Sequence, residues 1–302
     1  MILCCGEALI DMLPRETGAG ETAFAPYPGG AVFNTAIALG RLGAPTGFYS
    51  GISTDLFGEM LDGALASSNV DASLARRSNR PTTLAFVTLT EGQARYAFYD
   101  ENTAGRMLTE ADLPALPDAA RALFFGGISL VVEPCGAAYK ALMARAAPDR
   151  LTMIDPNIRP GFITDEARYR DRLAAMLAQA DIVKISDEDL HWLMGGRDPA
   201  ALDTGAALIL ITRGAEGVTA HMGGTVFDMP AHKAQVVDTV GAGDTFNAGL
   251  LAGLDRAGLL DKPALRAADP DALRPAIDLG MRAAAITVSR AGANPPWAQE
   301  LT

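Results

Sequence analysis

Chemistry concentrates in one run, Val237-Asp238-Thr239-Val240-Gly241-Ala242-Gly243-Asp244-Thr245-Phe246. Gly241, Ala242 and Gly243 have no side chain large enough to screen their backbone N–H groups. Where such a turn opens a helix, those donors are unpaired and the helix dipole is positive, which makes an anion site. Asp244 sets a carboxylate in that turn. It would repel a bound phosphate unless it had a task, such as taking the proton from a hydroxyl that attacks a phosphoryl group. The simpler reading has Asp244 cap a helix begun by Thr245, with the glycines serving only the turn. On this stretch alone both readings stand.

The elements that must position the turn follow from the pattern. An apolar strand is expected to end at Val237-Asp238, and Phe246, Leu250, Leu254 and Ala257 recur at helical spacing after it. Upstream, Ile2–Ile10 reads as a buried strand with Asp11 at its carboxyl end, where ligands of parallel sheets gather. Asp11 is there either a hydroxyl acceptor or an ordinary turn residue. Gly29–Gly43 reads as a small-residue helix stopped by Gly43. Its glycine pair admits close approach of a ligand, and Asn34, one turn beyond Gly30, needs a hydrogen-bond partner in so apolar a helix. Alternating strands and helices are expected at 46–53, 56–67, 122–127, 134–147, 151–154, 169–180, 182–185 and 207–212. Short strands at 218–222 and 225–229 and a long helix over 271–288 follow. Two half-exposed strands, 82–90 and 95–99, interrupt the rhythm as a hairpin across Glu91-Gly92-Gln93. With the Pro- and Gly-rich segment 14–28, read as loop and short β structure, the hairpin makes either a β lid that excludes water or an ordinary sheet edge. Asp155, Asn157 and Arg159 follow one strand end. Ser186-Asp187-Glu188-Asp189 follows another, as a helix cap or as acids gathered near a cation.

Composition narrows the class. With 302 residues and 49% apolar side chains, the chain can build one large α/β core. A formal charge of −11 argues against nucleic acid or an anionic membrane as partner, while leaving room for an anion held by backbone N–H groups. The three cysteines, Cys4, Cys5 and Cys135, include no CxxC and fit buried thiols in a reducing compartment. No signal sequence or membrane span is expected, so the location is expected to be cytoplasmic. His191, His221 and His232 lack metal-ligand spacing.

Gly29-Gly30…Asn34 near the start and Asp238-Thr239-Val240-Gly241-Ala242-Gly243-Asp244 near the end, in this order and separation, resemble the PfkB family of carbohydrate kinases. The resemblance covers nearly the whole chain. Gly6–Asp11, the hairpin strands, Asp155-Pro156-Asn157-Ile158-Arg159-Pro160 and Gly292-Ala293-Asn294-Pro295-Pro296 are similar to bacterial fructokinases within it. It implies a three-layer, ribokinase-like α/β fold over 1–302, with a mainly parallel sheet between helices. It also implies a small β lid from about 12–28 and 82–100 that often serves as a dimer clasp. By the same resemblance Asp244 is the base, and Gly241, Ala242 and Gly243 are the anion hole. Asp11, Gly30, Asn34 and Arg159 would meet the sugar. Thr212, Gly214 and Gly217 would line the nucleotide cleft, with Asn157, Lys184 and Asp189 near the phosphates. ATP with Mg2+ is the implied donor. Asp238 and the Val240 carbonyl match a monovalent-cation site, usually K+.

Two positions depart from the family pattern. Asp189 ends the family's Asn-x-x-Glu motif one methylene short, and Asp100 stands where many fructokinases carry Arg, which bears on the sugar held. The implied reaction is transfer of the γ-phosphoryl of ATP to a primary hydroxyl of D-fructose. Kinases of 2-keto-3-deoxygluconate, ribose or a nucleoside are the near rivals, and a non-catalytic sugar- or nucleotide-binding regulator is the distant one. A dinucleotide oxidoreductase fits poorly because Phe246 stands at the third glycine of GxGxxG, and no P-loop GxxxxGK[ST] occurs.

Overall fold

The computed structural model describes residues 1–90, 93–195, 202 and 204–301. The chain opens with β1 (Ile2–Cys5), then β2 (Leu9–Glu16), β3 (Thr22–Gly29), α1 (Ala31–Arg41), β4 (Thr46–Tyr49), β5 (Gly51–Ser53) and α2 (Leu56–Ser67). β6 (Val70–Asp71), β7 (Arg76–Ser78), β8 (Thr83–Thr90) and β9 (Gln93–Tyr99) complete the first third. Next come β10 (Ala122–Gly126), α3 (Cys135–Ala146), β11 (Leu151–Asp155), α4 (Glu166–Leu177), β12 (Ile182–Ser186) and α5 (Asp187–Met194). β13 (Leu208–Thr212), β14 (Val218–Met222), β15 (Thr225–Met229), α6 (Ala242–Arg256), α7 (Lys262–Ala267) and α8 (Pro270–Val288) finish it.

Nine strands form the main sheet in the order β15-β14-β13-β12-β11-β10-β1-β4-β6. All its pairings are parallel except those of β14 and β15. Its parallel strands are apolar on both faces because helices cover both. Cys4 and Cys5, adjacent on β1, fall in opposite cores. One core is shared by α1, α2, α6 and α8 and the other by α3 and α4. This is the three-layer architecture expected, and all three thiols are free and buried as expected. No helix among the described residues is long and apolar enough to cross a membrane.

The second sheet, β3-β2-β8-β9, is where the structure corrects the sequence reading. Ile2–Ile10 is not one strand. β1 stops at Cys5, and at Gly6 a Cβ would stand 2.5 Å from Val32, so no side chain fits at the break. Leu9 and Ile10 start β2 instead, and Asp11 lies inside a strand of the small sheet rather than at the end of a core strand. Segment 14–28, read as loop and short β structure, has more strand than that: the end of β2 and most of β3, joined by a turn over 17–21. Its prolines are tolerated by position. Pro26 and Pro28 lie on the edge strand β3, and Pro14 lies past Met12, where β2 ceases to pair with β8. The hairpin of β8 and β9 is present, and its second strand begins at Gln93, two residues before the expected start. Its turn residues Glu91 and Gly92 lie outside the described residues.

A third correction concerns the chemistry-bearing run. No strand ends at Val237-Asp238; residues 230–240 are irregular, and Val236 and Val237 are exposed. Apolar β-branched residues suggested a strand, but the main sheet already ends at β15. The loop is tied elsewhere, with Val237 N–H and Asp238 N–H both donating to the Val288 carbonyl at the end of α8.

Candidate active site

The carboxyl ends of β10, β11 and β12 converge on the start of α6, as expected of ligand sites on parallel sheets. α6 begins at Ala242, three residues before the expected start, with Gly241 as its N-cap at φ 77. That left-handed backbone favours glycine, and a Cβ there would stand 2.8 Å from the Ala293 side chain. Asp244 is therefore in the first helical turn, not ahead of it, and it makes no side-chain cap. Its carboxylate points away from its own helix. Asn34 Nδ2 donates to Asp244 Oδ2 at 3.0 Å and Asn157 Nδ2 to Oδ1 at 3.4 Å. Asn157 reaches it from a left-handed backbone (φ 46), a conformation Asn tolerates better than most residues. Thr35 Oγ1 donates to the Asp244 carbonyl at 3.2 Å, which locks α1 to α6.

Burial lifts the Asp244 carboxyl from an ordinary 3.8 to about 7, with the Asp155 charge adding to the rise. The Asn34 amide, Lys184 and Arg159 act against it. A carboxyl poised near neutrality, held by two amides and facing a cleft, has the properties of a general base.

Two cavities meet at this turn. The first, of about 420 Å³, is lined by Asp11, Gly30, Asn34, Asn157, Arg159, Lys184, Asp189, Val240, Gly241, Gly243 and Asp244. The second, of about 710 Å³ and mostly apolar, is lined by Thr212, Gly214, Gly217, Ala242 and Gly243 and floored by Phe246, Met281 and Val288. Gly243 and Thr239 border both. Of the residues expected at the nucleotide, Thr212, Gly214 and Gly217 stand in the second cavity; Asn157, Lys184 and Asp189 stand in the first. Asp238 lines neither. Its carboxylate accepts the Val240 N–H at 3.0 Å and the Gly292 N–H at 2.9 Å, fastening the loop before Gly241 to the 292–294 turn.

On the small-sheet side, a Cβ on Gly29 would fall 2.2 Å from Asp11 Oδ2, so the missing side chain leaves the carboxylate its room. Burial raises the Asp11 carboxyl to about 6. Tyr96 and Phe98 come from β9 and roof the same cavity. Sequence reading missed them, although two aromatics at i and i+2 on a strand must share a face. It named Lys184 and Asp155 separately but missed Asn247 and the way the three join as a floor. Lys184 Nζ pairs with Asp155 Oδ2 at 2.9 Å, and Asn247 Nδ2 donates to the same oxygen at 2.7 Å, all three being buried. A Cβ on Gly243 would lie 3.2 Å from Lys184 Nζ. The ammonium thus adjoins the positive end of α6, an arrangement that favours an anion between them.

The two departures resolve differently. Ser186 caps α5 through the Asp189 N–H at 3.0 Å, as its sequence suggested. Asp189 itself is buried beside the first cavity, accepts the Ile158 N–H at 3.2 Å, and is raised to about 6 by burial and by Asp155. Asp100 does not face the first cavity. It is buried, accepts the hydroxyls of Thr83 (2.7 Å) and Thr103 (3.0 Å), and borders a separate small internal cavity with Arg106. A direct hand in holding the sugar is not what its position supports.

Comparison with known proteins agrees with this geometry. A fructokinase of Rhizobium leguminosarum bv. trifolii is 56% identical over 279 residues, covering 91% of this chain and 86% of that protein. The crystal structure of a fructokinase with bound ATP from Xylella fastidiosa superposes with a TM-score of 0.90 at 29% identity, covering 99% of this chain and 96% of the other. An aminoimidazole riboside kinase from Salmonella enterica, complexed with its riboside and an ATP analogue, gives 0.85 at 25% identity, with 99% and 98% covered. Residues 1–300 match the profile of the pfkB family carbohydrate kinases. With its ribokinase-like fold and a carboxylate seated on a helix-capped anion turn between two cavities, the chain belongs to the pfkB family of carbohydrate kinases.

Proposed function

We propose that this protein is a fructokinase that transfers the γ-phosphoryl of ATP to the primary 6-hydroxyl of D-fructose. The observation that carries this reading is the place of Gly243, which borders both cavities, with the Asp244 carboxylate beside it on the smaller side. Fructose in the first cavity and ATP in the second bring acceptor and donor together across this turn. The sugar hydroxyl attacks the γ-phosphorus as its proton passes to Asp244, while the bond from the γ-phosphorus to the β–γ bridging oxygen breaks and ADP leaves with that oxygen. Charge on the equatorial oxygens meets the N–H groups of Gly241 and Gly243 and the Lys184 ammonium, joined by the Ala242 N–H once it leaves the Thr239 carbonyl, to which it donates at 3.3 Å in this structure. Asp11, Gly30, Asn34 and Arg159 hold the sugar, while Asn157 also orients the base. The 56% identity to a fructokinase favours fructose over ribose, 2-keto-3-deoxygluconate or a nucleoside.

Oxygen donors at Asn157, Glu188 and Asp189 line the phosphate end and suit Mg2+ carried in with ATP, which would screen the phosphate charge. The Asp238 carboxylate, with the Val240 carbonyl, offers the donor set of a K+ site that would stiffen the loop before Gly241. Residues 1–302 form one catalytic unit in this reading, and segments 12–28 and 82–100 act as its lid. The lid's outer face carries Phe24, Phe86 and Tyr99 in edge contact, with Phe24 and Tyr99 exposed, and suits a homodimer clasp.

ADP release from ATP and Mg2+ over a panel of fructose, ribose, 2-keto-3-deoxygluconate and a nucleoside tests the reading. Fructose is expected to give the highest kcat/KM and a 6-phosphate product. Preference for another acceptor overturns the substrate, and no turnover with any of them favours a regulator. Equal rates in K+, Na+ and a bulky organic cation would remove the cation site, and a monomer by sedimentation would remove the clasp.

A further inference from the structure

We infer that Glu7 is a positioning residue that sets the sugar-binding half of the site, by supplying from the β1–β2 crossing the helix cap that Gly30 cannot. α1 starts at Ala31 behind Gly30, a residue with φ 107 and no side chain to accept a first-turn N–H. The missing acceptor comes from 24 residues upstream, with Ala31 N–H donating to Glu7 Oε1 at 3.0 Å. The other oxygen, Oε2, accepts the Ser129 N–H at 3.3 Å, from the turn after β10. One carboxylate therefore joins three segments that meet at the sugar cavity. They are the crossing that leads in four residues to Asp11, the helix start that leads in three to Asn34, and the 127–129 turn.

The surroundings are shaped to this carboxylate. Glu7 is 8% exposed, and burial lifts its carboxyl above the usual range. A Cβ on Gly127 (φ +70) would fall 1.9 Å from Oε1, so glycine there leaves the space that the carboxylate fills. On the other side, a Cβ on Gly30 would meet the Glu7 backbone carbonyl at 3.0 Å. A buried carboxylate is costly unless hydrogen-bonded, and an apolar residue would pack a crossing more cheaply. What the carboxylate adds is a fixed distance between β2 and α1, and hence between Asp11 and Asn34. The carboxylate also adds negative charge at the positive end of α1.

The inference rests on the sugar-kinase reading only for the meaning of a sugar KM, so the test has two readouts. Glu7→Gln keeps the size but sets an N–H2 group against one of the two backbone donors. Relative to wild type, KM for fructose is expected to rise on the order of tenfold, the loss of one charge-assisted hydrogen bond. KM for ATP and kcat are expected to stay within about threefold. In the ligand-free protein, amide exchange at Ala31–Asn34 is expected to quicken on the order of tenfold, with Thr245–Ala248 in α6 unchanged. Gly127→Ala, which crowds the carboxylate from the far side, is expected to reproduce both effects if Glu7→Gln fails to fold. Unchanged exchange at Ala31–Asn34 overturns the inference whatever the substrate proves to be. So does a parallel rise in both KM values, which would make Glu7 general scaffolding. Wild-type inactivity toward fructose would instead count against the substrate reading and leave the exchange result to decide Glu7.

Discussion

The Asn34 side-chain amide donates to Asp244 Oδ2 at 3.0 Å, joining positions 210 residues apart in the chain. It unites the two motifs on which the resemblance rested. An Asn in an apolar helix required a partner, and a carboxylate in an anion turn required a reason. Each supplies what the other lacked: the amide orients the carboxylate, and the carboxylate satisfies the amide. With Asn157 on the other oxygen, Asp244 is fixed by two neutral donors, so its charge is oriented without being neutralised.

Asp244→Asn is expected to keep the fold and sugar binding while kcat falls by ~10²–10⁴, the usual cost of removing a positioned acid–base group. Stopped-time ADP assays with fructose measure it. A kcat near wild type would remove Asp244 from the base role.

The same variant has a stability consequence. The folded carboxyl titrates at about 7 against an ordinary 3.8, so folding favours its protonated form. The charged form costs stability, and that cost grows as pH rises from about 4 to about 7 and is constant above. Asp244→Asn removes the cost. Its Tm advantage over wild type is expected to widen across that window and level off at pH 8; an advantage independent of pH would contradict it.

Asn34→Ala removes the hydrogen bond that holds the Asp244 carboxyl down against burial. Its value should therefore rise further, and the acid limb of the pH profile of kcat/KM should move to higher pH. A profile unmoved from wild type would mean that the amide does not set the carboxylate's charge.

Gly241→Ala forces a left-handed alanine at the start of α6 and presses its methyl toward Ala293. The expected loss is about 2–4 kcal/mol of stability, together with most of the turnover, since the N–H groups of the anion turn must shift. Urea unfolding and steady-state rates check both. Full activity in a stably folded variant would show that the turn's backbone is not held as described.

Phe98 roofs the cavity that holds Asp11 and Asp244, proposed for the sugar, and packs against Phe162, their ring centroids 4.7 Å apart. Phe98→Ser should admit water beneath the lid. Phosphate released per fructose phosphate formed is then expected to rise several-fold, with KM for fructose rising alongside. An unchanged ratio would leave the lid no part in excluding water.

Much of this protein was legible in its sequence, and the reason is local. Short continuous apolar runs mark strands buried on both faces and period-3.6 spacing marks helices with one buried face, so the parallel strands and α1, α2, α6 and α8 could be read from the pattern of apolar residues. Gly241–Asp244 offered an anion turn or a plain helix cap, because backbone donors and a helix start are properties of a few consecutive residues. Gly30 and Asn34 could be singled out in the same way, whereas Asp238 was named only through the family resemblance. What one strand's residues cannot encode is which sheet they join. The break after Cys5 puts Leu9–Glu16, and Asp11 with it, in the small sheet, where the partners are β3 and β8 rather than β1's own neighbours β4 and β10. The exposed, irregular path of Val236–Val240 depends likewise on the end of α8. The tertiary structure alone decided that Asn34 and Asn157 flank one carboxylate, and that Asp155, itself braced by Asn247, holds Lys184 beneath the turn. It also decided that Glu7 caps a helix 24 residues away and that Asp100 lines a cavity other than the one beside Asp244. Local geometry fixes what a residue can do. Only packing sets the burial and distances that decide, as with the rise of Asp244 to about 7, what it does.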